Sequence, residues 1–293
     1  MINRIQRHIV LIAALLLSSM GYAQLLYEIS GNSVEQKSYL FATNKLCQIS
    51  FLDTVPNLFK VFGRCDKVLT EMALYDFETT NALKVAALLP DSLSLLQQYN
   101  HEQITAIDEC MRSNLGLSIE HLSRMKPSYL TELYRGELLA KWLHYTPDAS
   151  SEVFFQTIAA QTDIPVYPLD DTGETLYMLF DREPFDWQCK ELLSIVNYPE
   201  REIKLEKEIL AAYKMGQLTQ IAYLMEAPDN LSTHSYSDYT VYCKRNLVWV
   251  KRLKNYLGEG RAFICLDATY LGGEKGLIAL LRAEGYKVKA VNK

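Results

Sequence analysis

The C-terminal segment narrows the fold most. A β-prone run from Ala262 to Leu266 is followed by a helical stretch from Lys275 to Ala283 and, after Gly285, by a second run from Tyr286 to Val291. A strand-helix-strand order of this kind implies a parallel strand pair joined by a right-handed crossover. Upstream, Leu25 to Ser30 and Ser38 to Thr43 flank the turn residues Gly31-Asn32-Ser33 and predict a hairpin, and Lys67 to Met72 predicts a third strand. Between them, Asp53-Thr54-Val55-Pro56 is the expected cap of a helix carrying Leu58, Phe59, Val61 and Phe62. Two long stretches of helical periodicity fill the middle, Glu78 to about Tyr145 and Thr172 to about Tyr256, with a short strand from Val166 to Leu169 between them. A break is expected at Pro228-Asp229-Asn230. The expected class is α/β (α+β): a central mixed sheet with a parallel C-terminal β-α-β unit and two large helical blocks.

A chain of 293 residues, 49% hydrophobic and 22% charged, can build a sizeable core. Residues 1–23 read as a secretory signal: Arg4 and Arg7 precede an apolar run from Ile9 to Leu17, and Gly21-Tyr22-Ala23 offers cleavage after Ala23. That run is shorter than the roughly 20 residues a membrane span needs. The expectation is an exported protein, periplasmic or secreted, with no transmembrane segment and one domain over 24–293. Without the signal, 28 basic residues face 35 acidic ones, a formal charge of −7. Such a balance argues against nonspecific nucleic-acid binding. All six cysteines lie beyond the signal, an even count that in an oxidising compartment predicts one or more disulfides, with the pairing open. No cysteine or histidine cluster has zinc-site spacing, and neither HExxH nor GxSxG occurs.

In open α/β sheets, ligands bind at the carboxyl ends of strands. Two such ends here share a polar turn, Ala42-Thr43-Asn44-Lys45 and Asp267-Ala268-Thr269-Tyr270. The sequence around them, together with Leu115-Gly116-Leu117, Met125-Lys126-Pro127, Lys244-Arg245-Asn246 with Trp249, and the closing LDATYLGGEKGLIALLRAEGYKVKAV, resembles the TraB/GumN (Tiki-like) family over essentially the whole mature chain. The resemblance implies a TraB/GumN/Tiki-like fold. It also implies a divalent-metal site for hydrolysis, built from the histidines of two Gly-x-x-His motifs and a glutamate, with peptide cleavage in the Tiki branch.

This chain departs from that pattern. Lys45 and Tyr270 stand at the two histidine positions, Glu71 matches the glutamate, and both motif glycines are absent. An ammonium has no lone pair to donate, and a phenol with a reference pKa near 10 ligates poorly unless it ionises. The replacements therefore predict no metal, no cofactor and no hydrolysis, with a Lys45–Glu71 ion pair where the metal would sit. The former cleft, lined by Ala42, Asn44, Asp170, Arg245 and Asp267, is expected to bind a peptide, protein or small ligand. The alternative is an active hydrolase with a rearranged centre of Glu71, Asp170, Asp267 and Tyr270 around a hard cation. A third possibility is haem on Tyr270 as an axial phenolate. Gly272, Gly273 and Gly276 lack the spacing of a phosphate loop.

Overall fold

The computed structural model describes residues 24–32, 34–73, 77–144, 150–226 and 235–291. The signal segment 1–23, Ser33 of the hairpin turn and the break at Pro228-Asp229-Asn230 lie outside the described residues. Six strands form one mixed sheet in the order β4-β3-β5-β2-β1-β6. They are β1 (Leu26–Ser30), β2 (Ser38–Thr43), β3 (Lys67–Thr70), β4 (Val166–Pro168), β5 (Ala262–Asp267) and β6 (Lys287–Ala290). The hairpin forms as its turn residues predict, with β1 antiparallel to β2. The four strands β4, β3, β5 and β2 are mutually parallel. Central β5 reads AFICLD and is buried at five of its six positions, as expected of a parallel strand covered on both faces.

The C-terminal unit differs from the simplest reading. β6 runs in the same direction as β5, but β2 and β1 lie between them, and β6 pairs antiparallel with β1. The crossover helix Leu277–Ala283 therefore spans two strands before the chain re-enters the sheet at its edge. Periodicity identifies the strands of such a unit but carries no information on which neighbour each will take.

One local expectation is corrected, and two features are added. Asp53 and Thr54 end a 3-10 turn, Ile49–Thr54, and the N-cap of Leu58–Phe62 is Asn57 in a left-handed conformation (φ 60°), which asparagine tolerates. Gly116 closes the helix His101–Leu115 at φ 71°. A further helix, Ser151–Gln161, fills the stretch before β4; Ser150 caps it by accepting from the Val153 amide at 3.2 Å. Its Phe155 is fully buried against Phe263 of β5, ring centroids 4.8 Å apart.

The main core covers the sheet and includes Phe41, Phe263, Tyr213 and Trp249. A second apolar cluster, with Leu95, Ile107, Met111, Leu130 and Leu192, holds together the helices His101–Leu115, Pro127–Leu143 and Phe185–Asn197. No described helix is long and apolar enough to cross a membrane.

The expected disulfides do not form: none of the six cysteines is bridged to another. Thiol titration of the denatured, unreduced protein is expected to count six per chain, and any pairwise shortfall would overturn this arrangement.

Candidate functional site

Because β2, β5, β3 and β4 are parallel neighbours, their carboxyl ends open on one side of the sheet. Lys45 follows the end of β2, Asp267 ends β5, Glu71 follows β3, and Asp170 lies just past β4. Two amides prolong the β3–β4 ladder past the strands proper. Leu169 donates to Thr70 at 2.7 Å and Asp170 to Glu71 at 3.2 Å, which sets these two acids side by side. Helices Pro127–Leu143, Ser151–Gln161 and Ser235–Leu257 face this edge and enclose a cavity of about 500 Å³. That volume lies within the range of small-ligand pockets.

Arg245 is the hub. Its guanidinium donates to Asp170 at 2.6 Å through Nε and pairs with Glu71 at 2.8 Å through a terminal nitrogen, which also donates to the Tyr270 hydroxyl. It stacks over the Trp249 ring at 4.4 Å, and the Trp249 indole N–H donates to the other Asp170 oxygen. The spacing of Arg245 and Trp249 by one helical turn places both on the same buried carboxylate. Asn246, also buried, donates to the Tyr270 carbonyl at 2.8 Å and the Lys275 carbonyl at 3.2 Å, so one helix positions the whole closing loop.

The expected Lys45–Glu71 pair does not occur. Arg245 takes Glu71, while Lys45 reaches across the cleft to Glu132 at 3.8 Å. Both side chains of the Lys45–Glu132 pair are half exposed, so the pair contributes at most about 1 kcal/mol. Desolvation would pull the Lys45 ammonium down, but Glu132 and Glu206 outweigh it and hold it above the ordinary lysine value. Asn44, Lys45, Glu71, Arg245, Asp267 and Tyr270 line the cavity. Asp170 sits behind Arg245, and Ala42 is buried within β2, its carbonyl accepting from the Tyr213 hydroxyl at 3.0 Å.

Glu152, Glu132, Glu206 and Thr131 were not apparent from the sequence, yet they line the same cavity. Glu152 accepts from the Thr70 hydroxyl and from the Glu71 amide at 3.3 Å. Burial, then the Glu71 carboxylate, push its pKa up to about 8. Burial likewise raises Glu71 and Asp267, in spite of Arg245 beside the first and the Thr269 donors on the second. Burial and the neighbouring Glu71 hold the Tyr270 phenol well above its ordinary value.

This donor set does not fit the metal that the family resemblance implies. A protonated phenol and an ammonium stand at the two ligand positions, and the remaining carboxylate is bound by a guanidinium. Among the described residues, no group of three His, Cys, Asp or Glu side chains is placed to hold an ion. The glycines of the closing loop serve packing. Gly273 adopts φ 78°, and a Cβ on Gly272 would fall 2.0 Å from the Leu218 carbonyl oxygen.

Residues 25–290 match the profile of the TraB/PrgY/gumN family. The chain belongs to that family. No curated protein and no solved structure matches it. Within the TraB/PrgY/gumN frame, the Arg-Asn-x-x-Trp helix and the glycine-rich closing loop have a physical account here: the first organises the buried ion cluster, and the second lets two backbones touch.

Proposed function

We propose that this TraB/PrgY/gumN member is an exported binding protein whose former catalytic cleft takes a peptide, protein or small ligand and no longer performs metal-dependent hydrolysis. The observation that carries the reading is the fate of Glu71. A carboxylate needed as a metal ligand or general base is held instead in an ion pair with Arg245 at 2.8 Å. Lys45 adds a positive charge to the volume a divalent cation would enter, which disfavours it further. The cavity itself persists, walled by Met72, Val153, Ile209 and Met225 as well as by charged groups, a mixture that suits an amphipathic ligand.

Elemental analysis and calorimetry with Mn²⁺, Co²⁺ and Zn²⁺ test this reading on the mature protein, alongside a peptide-hydrolysis assay. The expected result is no stoichiometric metal and no turnover. One tightly bound ion that is lost on Glu71→Ala would restore the hydrolase with a rearranged carboxylate centre.

A further inference from the structure

The cavity is built with more negative than positive groups. Among the described residues, six carboxyl groups line it, from Glu71, Glu132, Glu152, Glu191, Glu206 and Asp267, against three cations. Each of those cations is already engaged: Lys45 with Glu132, Arg182 with Glu183, and Arg245 with Glu71 and Asp170. Behind the wall, Arg135 is taken up by Glu132, Glu191 and Glu202. Glu152, Glu206 and Asp267 form no direct ion pair among the described residues, although Lys45 acts on Glu206 and Asp267 at longer range. Burial holds these acids toward their neutral forms, and an arriving cation would offset the cost of ionising them.

A second feature points the same way. Thr131 is 1% exposed and lines this cavity, yet its hydroxyl oxygen has no hydrogen-bond partner among the described residues. A buried hydroxyl without a partner is uncommon and is satisfied when a donor enters. Val153, Ile209 and Met225 supply apolar surface beside these acceptors. An aliphatic stem ending in a cationic donor matches both parts of such a wall.

We propose that the cavity binds a ligand carrying a primary ammonium or guanidinium group on an aliphatic stem, with Glu152, Glu206 and Asp267 as counter-charges and Thr131 as a further acceptor. The proposal rests on the reading of the cleft as a binding site. The group could be that of a free alkyl amine or of a basic side chain on a peptide, and the probes separate the two.

The experiment is calorimetry at low salt with cadaverine against 1-pentanol and pentanoate, and with blocked glycyl-lysyl-glycine against its norleucine analogue. The cationic member of each set is expected to bind at least about tenfold tighter than its neutral counterpart, equivalent to about 1.4 kcal/mol. A response to cadaverine alone assigns a free amine, and a response to the lysyl peptide assigns a basic peptide. Glu152→Gln keeps the acceptor for Thr70 but cannot ionise opposite a bound cation, and Glu206→Gln removes the ionisable group at a second wall. Each is expected to weaken binding while melting like the wild type.

Equal binding of 1-pentanol, tighter binding of pentanoate, or no binding of any probe would overturn the cation site. So would variants that fold but bind the cation unchanged. Preference for pentanoate would leave the binding reading standing, whereas a bound metal with turnover would end that reading whatever the amines do.

Discussion

Gly272→Ala is expected to leave little folded protein. A Cβ at this position would lie 2.0 Å from the Leu218 carbonyl oxygen, 2.3 Å from its carbonyl carbon and 2.8 Å from the Thr219 nitrogen. All three are backbone atoms, so no rotamer change relieves the clash. The loop and the helix Leu218–Glu226 must separate, taking Leu218, Ile221 and Leu271 out of the core. Overpacking against side chains already costs roughly 1–3 kcal/mol, and here the obstruction cannot rotate away. Against a total stability of about 5–15 kcal/mol, the outcome should be loss of soluble yield or a large drop in melting temperature. Gly136→Ala is the internal control. Gly136 lies in the helix Pro127–Leu143 with nothing within 4 Å of a new Cβ, so alanine there should stabilise by about 1 kcal/mol through helix propensity. Wild-type melting of Gly272→Ala would refute the close approach.

Asp170→Ala should produce the second large loss. Asp170 is buried and accepts from Arg245 at 2.6 Å and from the Trp249 indole. Removing it leaves a largely buried guanidinium with Glu71 as its remaining carboxylate partner among the described residues, and a fully buried indole N–H with none. Breaking a buried ion pair in this one-sided way costs about 3–5 kcal/mol. For a chain of this size, at roughly 2 °C per kcal/mol, that corresponds to a fall of about 6–10 °C in melting temperature. The double variant Asp170→Ala with Arg245→Met should recover part of the loss, because the uncompensated charge goes as well. Additive losses in a thermal-unfolding cycle would show that the two side chains do not act together.

Most strands were legible because each is a short apolar or alternating run between turn residues, as with β5 before Asp267 and β6 after Gly285. Their order was not. β6 beside β1 depends on where the crossover helix packs, and that is decided by the whole apolar surface of the sheet. The helix Ser151–Gln161 is not legible in the sequence because Val153, Phe154 and Phe155 form an unbroken apolar run, which does not separate helix from strand. Family motifs located Glu71, Arg245, Asp267 and Tyr270 in the cavity wall. The partner of Lys45 was misjudged because Glu132 arrives from a helix in the first helical block, and motif spacing contains no such information. Glu152 was missed for the same reason: its place depends on how its helix docks against β3.

The contact at Gly272 also has a mechanical side. With Leu218 pressed against that glycine, the helix Leu218–Glu226 is fixed at its first residue, and Met225 lies about 10 Å farther along its axis, in the cavity wall. The glycine contact therefore sets how far the closing loop stands from that wall, and Ile221, Leu224 and Met225 hold the rest of the helix against the core.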